Sequence, residues 1–184
     1  MQSFIDTLSD TLYRIDFAIL DAIRQHCRSA LGDVLLPLVS HLGDFGTIWL
    51  LAALLLVLRR PTRRTGLILL AALFAANLLG NYILKPLIER PRPFWLAPPA
   101  DLLPSALRET SFSFPSGHTI SSFAAATAIF TQDKRLGAPA LLLAVLIAFS
   151  RLYLYVHFPS DVLAGALLGI LTGRLTARLA RRIQ

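Results

Sequence analysis

The chain has 184 residues, of which 18 are Lys or Arg and 11 are Asp or Glu, so its formal net charge is +7. Hydrophobic residues make up 55% of the chain, charged residues only 16%, and the mean hydropathy is +0.61. This composition excludes a disordered protein and is atypical of a soluble domain, and one cysteine, Cys27, excludes a disulfide-stabilised fold. We therefore expect an all-α integral membrane protein whose positive charge reflects its orientation in the membrane and not a nucleic-acid partner.

The N-terminal region, residues 1–41, differs from the rest because apolar and charged side chains alternate along it. This mixture predicts an amphipathic helix that lies in the membrane interface instead of crossing the bilayer. Residues 1–10 have neither a basic start nor an apolar core, so we expect no secretory signal peptide. Residues 42–184 are predicted to form the transmembrane domain.

A helix that crosses the bilayer needs about 20 mostly apolar residues. Pro61 and Pro86 are expected to end the first two such helices, because proline disfavours helical structure at and just before its own position. His41 and Asp44 are expected at the outer end of the first helix, and Ser116 is a candidate N-cap of the third. The sequence thus predicts a bundle of about five transmembrane helices, at roughly 42–58, 65–85, 116–132, 137–157 and 160–178.

Lys and Arg residues concentrate in three regions of the chain, at 59–64, 133–137 and 174–184. Five alternating helices place these regions on one side of the membrane, and the positive-inside rule makes that side cytoplasmic. The 85–115 loop and the 157–161 turn then lie on the extracytoplasmic side, and the C-terminus is cytoplasmic.

Polar residues cluster at the extracytoplasmic ends of the predicted helices. Lys85, Arg92 and Arg151 are suited to bind a phosphate group, because cationic side chains match its oxygens. Ser116 and Gly117 begin the third helix, whose free N–H groups also favour an anion. The acidic residues available as partners are Glu89, Asp101, Glu109 and Asp161.

Two histidines and an aspartate supply reactive groups at the same level. If Asp161 accepts a hydrogen bond from one nitrogen of His157, the other nitrogen is free to attack phosphorus. His118 is a candidate general acid and, in a second step, a general base. We expect no metal or other cofactor, because the cations can stabilise the transition-state charge. Arg151 and His157 are six residues apart, so they share a site only if the helix ends before His157.

Some residues allow two interpretations. Asn77 and Asn81 lie on one stripe of the second helix with Lys85, and they either hydrogen-bond to a neighbouring helix or line the substrate cavity. Arg90 and Arg108 are interpreted as solvated loop charges, or as groups that attract an anionic headgroup. A stripe of small residues predicts close packing of the fifth helix within one subunit; its members are Gly165, Gly169 and Gly173.

The motifs Lys-x6-Arg-Pro, Pro-Ser-Gly-His and Ser-Arg-x5-His-x3-Asp, all within residues 85–161, resemble in order and spacing those of the type 2 phosphatidic acid phosphatase superfamily. The resemblance covers about 42–178 and implies a helical core with a phosphate-binding site. It also implies His157 as nucleophile, Asp161 as its orienting group and His118 as acid and base. Soluble vanadium haloperoxidases share this site, but the long apolar segments argue against them.

A short chain of this type is similar to bacterial undecaprenyl-diphosphatases and phosphatidylglycerophosphatases. The leading hypothesis is therefore a phosphatase of the bacterial plasma membrane that converts undecaprenyl diphosphate to undecaprenyl phosphate. An alternative within the same class is a phosphatase that acts on phosphatidylglycerophosphate or phosphatidic acid. A different class is a non-catalytic transporter or binder of a lipid phosphate, which would not need the set of His118, His157 and Asp161.

Overall fold

The computed structural model describes residues 2–182, and its regular structure over that range is helical, without a β-strand. The helices are α1 (Gln2–Cys27), α2 (Ala30–Leu42), α3 (Thr47–Leu58), α4 (Arg63–Asn77), α5 (Lys85–Ile88), α6 (Pro93–Leu96), α7 (Gly117–Gln132), α8 (Lys134–Tyr153) and α9 (Pro159–Arg182). This architecture confirms the predicted all-α fold.

Helix α7 lies at the centre of the bundle and packs against α4, α8 and α9. Its middle is rich in fully buried alanines, which let the surrounding helices approach closely. The predicted glycine stripe on α9 faces α7: a Cβ atom on Gly169 would lie 2.6 Å from the carbonyl oxygen of Ile120. A Cβ atom on Gly173 would lie 2.6 Å from that of Ala124. The prediction of close packing within one subunit is therefore confirmed.

Three helical stretches are long and apolar enough to cross a membrane, namely Arg60–Leu96, Lys134–Tyr153 and Pro159–Arg182. A fourth candidate is the pair Ala30–Leu42 and Asp44–Leu58, which is bent by 48°. Helix α7 has 16 residues and is shorter than these stretches. The chain is a membrane protein, and the number of five spans stays a prediction.

The second predicted span does not end at Pro86, so that expectation is wrong. The helix continues from α4 through a π-helical segment, Leu78–Leu84, into α5, which ends at Ile88. Proline normally clashes with the carbonyl four residues earlier and lacks an N–H group. A wider π-helical turn just before Pro86 gives the ring room without ending the helix.

The start of the first predicted span also differs from expectation. Helix α3 begins only at Thr47, after a tight turn in which Phe45 has φ 53° and Gly46 has φ 72°. Asp44 therefore lies in a turn between α2 and α3 and not at the end of a straight helix. The positive φ values of Phe45 and Gly46 produce the turn, which no local sequence pattern reveals.

Helix α1 is amphipathic, and it packs against α8 and α9. Asp16 and Leu20 are buried against the rest of the protein, whereas Ile15 and Ile19 are 53% and 42% exposed. One face of α1 is thus part of the protein interior, and a neighbouring face presents apolar side chains outward.

Candidate active site

A cavity of about 860 Å³ lies where the three sequence motifs meet. Ser116 and Asp161, two of the predicted site residues, are fully buried and do not line it. The other predicted residues are part of its lining: Asn77, Asn81, Lys85, Arg92, Gly117, His118, Arg151 and His157. The fold therefore brings all three motifs to one cavity.

His157 lies in the turn that joins α8 to α9. Helix α8 ends at Tyr153, and Tyr155 has a positive φ of 59°, so the helix ends before His157, as predicted. Arg151 stays on the last turn of α8 and both side chains can line the same cavity. His157 is only 1% exposed.

The hydrogen bonds of His157 define which ring nitrogen carries the proton. Its Nε2 lies 3.3 Å from Nη1 of Arg92, and because arginine only donates, Nε2 accepts. Its Nδ1 then carries the proton and donates to Oγ of Ser113, at 3.3 Å. Burial lowers the pKa of His157 well below its usual value, and the cations Arg92 and Arg151 lower it further. The ring is therefore neutral, with the lone pair of Nε2 directed at Arg92.

Asp161 supports His157 through Ser113 and not directly. The distance from Nδ1 of His157 to Oδ2 of Asp161 is 3.8 Å, too long for a hydrogen bond. Ser113 donates to the same Oδ2 atom at 2.5 Å, and the N–H of Phe158 donates to it at 2.9 Å. The direct contact expected from the sequence is thus replaced by a serine bridge, and no periodicity in the loop before α7 marks Ser113 in advance.

Arg90 is buried, so its interpretation as a solvated loop charge is wrong. Its Nη1 donates to Oδ1 of Asp161 at 2.5 Å, and its Nη2 donates to Oδ2 of Asp16 at 2.7 Å. The guanidinium carbon lies 4.8 Å from the ring centre of Tyr13 and 4.1 Å from that of Phe158. Arg90 therefore connects α1 to the carboxylate behind His157.

Glu109 lies between two of the basic residues, Arg92 and Arg151. Its Oε2 lies 2.8 Å from Nη2 of Arg92, and its Oε1 accepts from Nη2 of Arg151. Burial raises the pKa of Glu109, but the attraction of Arg151 and Arg92 outweighs burial and lowers the pKa to about 2. Lys85 lies beside this cluster, with Nζ 3.4 Å from Oγ of Ser111. An internal carboxylate thus occupies the position between the arginines where an anion could bind.

Residues outside the three sequence motifs hold His118 in position. Its Nε2 lies 2.8 Å from Oδ1 of Asp44, and Oδ2 of Asp44 lies 2.8 Å from Nδ1 of His41. The sequence places His41 and Asp44 near a helix end but does not connect them to His118, which is 74 residues away from Asp44.

The start of α7 is tightly packed. Ser116 is the N-cap residue, as predicted, although its Oγ accepts from Oγ1 of Thr119 and does not cap the helix. A Cβ atom on Gly117 would lie 2.9 Å from Oδ1 of Asn81, so a larger residue would displace that amide. Asn81 donates to Asn77 at 2.7 Å, and both line the cavity, which favours the second interpretation of these residues.

Together, the fold and the cavity define a helical membrane protein in which two histidines face a cluster of basic residues. Residues 65–184 match the PAP2 superfamily, and the chain belongs to this superfamily. The match covers most of α4 and all of α5 to α9. It leaves out α1 to α3 and the turn before α3. Of these segments, α1 supplies Asp16, α2 supplies Ser40 and the turn supplies Asp44 to the contacts of the site.

Similarity to named proteins and to solved structures agrees with this assignment. Undecaprenyl-diphosphatase of Sulfolobus acidocaldarius is 37% identical over 134 residues, which are 71% of this chain and 64% of that protein. The chain thus spans less than two thirds of that relative. The crystal structure of Aquifex aeolicus LpxE has a TM-score of 0.74 at 30% identity, covering 89% of this chain and 95% of that one. The transmembrane PAP2 type phosphatidylglycerolphosphate phosphatase of Bacillus subtilis has a TM-score of 0.76 at 30% identity, covering 95% and 88%.

Proposed function

We propose that this protein is a phosphatase that hydrolyses a membrane lipid phosphate or diphosphate through a phosphohistidine. The observation that carries the proposal is the neutral Nε2 of His157, which lies 3.3 Å from Nη1 of Arg92 at a cavity that His118 also lines. A site that only binds phosphate needs cations, but it does not need a nucleophilic nitrogen beside them. This argues against the alternative of a non-catalytic lipid-phosphate transporter or binder.

In the first step, Nε2 of His157 attacks phosphorus, and the bond between phosphorus and the leaving oxygen breaks. His118 gives a proton to that oxygen as a general acid. Asp161 stabilises the positive charge that develops on His157, acting through the hydroxyl of Ser113. The phosphoryl oxygens are bound by Lys85, Arg92, Arg151 and the N-terminus of α7 at Ser116 and Gly117.

In the second step, water attacks the phosphohistidine and the bond between Nε2 of His157 and phosphorus breaks. His118 now accepts the proton that the water molecule releases. Inorganic phosphate leaves, and both histidines return to their starting states. The basic residues supply the positive charge that the transition state needs, so we expect the reaction to proceed without a metal ion or other cofactor.

The proposed substrate is undecaprenyl diphosphate, which would be converted to undecaprenyl phosphate. The cavity lining includes apolar residues, which suit a hydrocarbon chain, and the Sulfolobus relative is named for this activity. Phosphatidylglycerophosphate, for which the Bacillus structure is named, and phosphatidic acid are the alternatives. The apolar lining residues are Pro37, Leu50, Leu70, Leu73 and Phe74.

We further propose a place for the protein in the bacterial plasma membrane, with an extracytoplasmic site and a cytoplasmic C-terminus. The cation-rich loop 59–64 and the C-terminal end of α9 lie together, since Nη2 of Arg64 donates to the carbonyl of Ala180 at 3.2 Å. Residues 1–41 would form the interfacial segment, with the apolar side of α1 against lipid, and residues 42–184 the phosphatase domain.

A substrate panel tests the proposal directly. The purified protein is incubated in chelator with undecaprenyl diphosphate, phosphatidylglycerophosphate and phosphatidic acid, and released phosphate is measured. We expect the fastest hydrolysis with undecaprenyl diphosphate and inhibition by orthovanadate, a phosphate analogue. Activity that chelator abolishes would contradict the mechanism, and binding of all three lipids without phosphate release would support the transporter or binder.

The nucleophile is tested with His157→Ala, which should lower kcat by about 10⁴-fold or more. The matched control is His26→Ala, which removes an exposed histidine of α1 and should leave turnover unchanged. Full turnover by His157→Ala would show that another group attacks phosphorus.

A further inference from the structure

The end of α2 and the turn that follows it contact two of the proposed site residues, although both lie outside the region that matches the PAP2 superfamily. Oδ1 of Asp44 lies 2.8 Å from Nε2 of His118. A Cβ atom on Gly43 would come within 2.6 Å of Cδ2 of the same ring, so the backbone of the turn is also close to it. Ser40, at the end of α2, accepts a hydrogen bond from Nη1 of Arg151.

The backbone of this turn is strained in a way that packing does not explain. Phe45 adopts a φ of 53°, which is unfavourable for a bulky residue. Its side chain is 98% exposed, so packing of that side chain does not hold it in this conformation. The turn nevertheless directs the carboxylate of Asp44 at His118, and strain of this kind is common where a side chain must be positioned for function.

Three charged groups act on His118 from different elements: Asp44 from the turn, Arg151 from α8 and Glu109 from the loop before α7. Of these, Asp44 alone hydrogen-bonds to the ring. The second oxygen of Asp44 is 2.8 Å from Nδ1 of His41, which fixes the orientation of the carboxylate. In the described part of the chain, Nδ1 of His118 has no hydrogen-bond partner, so it is available to substrate.

We propose that Asp44 is a positioning residue that holds His118 through Nε2 and leaves Nδ1 to exchange the catalytic proton. This inference rests on the proposed phosphatase function. In the first step the proton of Nδ1 moves to the leaving oxygen, while the proton of Nε2 stays hydrogen-bonded to Asp44. In the second step Nδ1 takes a proton from the attacking water. Asp44 remains a carboxylate throughout and favours the protonated ring before the first step.

The variant Asp44→Asn tests this role, because it keeps the size of the side chain and removes its charge. With the lipid phosphate that the wild-type protein hydrolyses fastest, we expect kcat to fall about tenfold and KM to change little. The basic limb of the pH profile of kcat should move about one pH unit lower, since the protonated form of His118 loses its partner. Asp44→Glu, which restores the charge, should recover part of both effects.

Glu89→Gln is the matched control, because it neutralises an exposed carboxylate beside α5 that does not contact His118. Its pH profile should equal that of the wild type. Inhibition by orthovanadate reports whether the cavity of Asp44→Asn remains intact. If the basic limb of Asp44→Asn does not move while vanadate still inhibits, Asp44 does not position His118. If vanadate inhibition is lost as well, Asp44 is structural and the inference is wrong.

A readout without turnover separates this inference from the proposed function. In ¹⁵N spectra of histidine-labelled protein, neutral His118 should carry its proton on Nε2 in the wild type. In Asp44→Asn, neutral His118 should no longer prefer this tautomer. Unchanged spectra would contradict the role of Asp44 even if the lipid panel succeeds. An inactive wild type with the expected spectra would contradict the proposed function and the catalytic use of Nδ1, but not the positioning of His118 by Asp44.

Discussion

Glu109 is a carboxylate inside the basic cluster of the proposed site. Its carboxylate bridges Arg92 and Arg151, where the mechanism places the phosphoryl oxygens. With a pKa of about 2, Glu109 stays ionised at any pH at which the protein would work. In the proposed mechanism, a phosphate group that binds Arg92 and Arg151 takes the place of this carboxylate.

We expect Glu109→Gln to bind phosphate analogues more tightly, because a neutral amide competes less well for the two guanidinium groups. The inhibition constant of orthovanadate should fall about tenfold, which corresponds to about 1.4 kcal/mol. The unfolding temperature should also fall, since Arg92 and Arg151 lose a buried partner. Weaker inhibition by vanadate would show that Glu109 helps to build the anion site.

Asp101→Asn is the control for this substitution, because Asp101 is an acidic residue of the same loop that pairs with Arg24 and Arg28 away from the cavity. It should leave the inhibition constant unchanged. A similar gain in both variants would mean that the net charge of the loop, and not the position of Glu109, determines the affinity.

Among the elements, α1 has a structural role that its amphipathic pattern does not show. Asp16 accepts from Arg90 and also from the N–H and hydroxyl of Ser160, at 3.0 and 2.5 Å. Arg90 in turn holds Asp161, so α1 is connected through buried polar contacts to the start of α9.

We expect Arg90→Met to destabilise the protein by about 3–5 kcal/mol, because it leaves Asp16 and Asp161 buried without their cation. Thermal unfolding in detergent measures this change, and phosphatase activity should fall with it. Arg14→Met removes an exposed arginine of α1 and should have little effect. Equal stability of the two variants would mean that the buried ion pairs of Arg90 do not hold α1 in place.

The sequence predicts the helices better than the segments that join them. Apolar runs identify α4, α8 and α9, because a membrane helix must present apolar side chains along its whole length. The turn before α3 and the π-helical segment before Pro86 have no signature in the local composition that would predict them. The site shows the same division: the motif residues are predictable, whereas Ser113 and Asp44 act across long chain separations.

For the whole molecule, the distribution of Lys and Arg residues predicts an orientation in the membrane that can be tested. We expect the loop at Arg60 to face the cytoplasm and the loop at Ala100 to face outward. After Cys27, the exposed free cysteine, is replaced by serine, Arg60→Cys and Ala100→Cys each provide one labelling site. In right-side-out vesicles, a membrane-impermeant maleimide should label Ala100→Cys alone, and labelling of Arg60→Cys alone would reverse the orientation.

Helix α7 is short, and this affects how the protein responds to the thickness of its bilayer. Its 16 residues span about 24 Å, less than a hydrocarbon core of about 30 Å. Because α4, α8 and α9 surround α7, its ends need not match the lipid boundary. The depth of Ser116, Gly117 and His118 is therefore set by protein packing, and membranes of different thickness should leave the catalytic geometry unchanged.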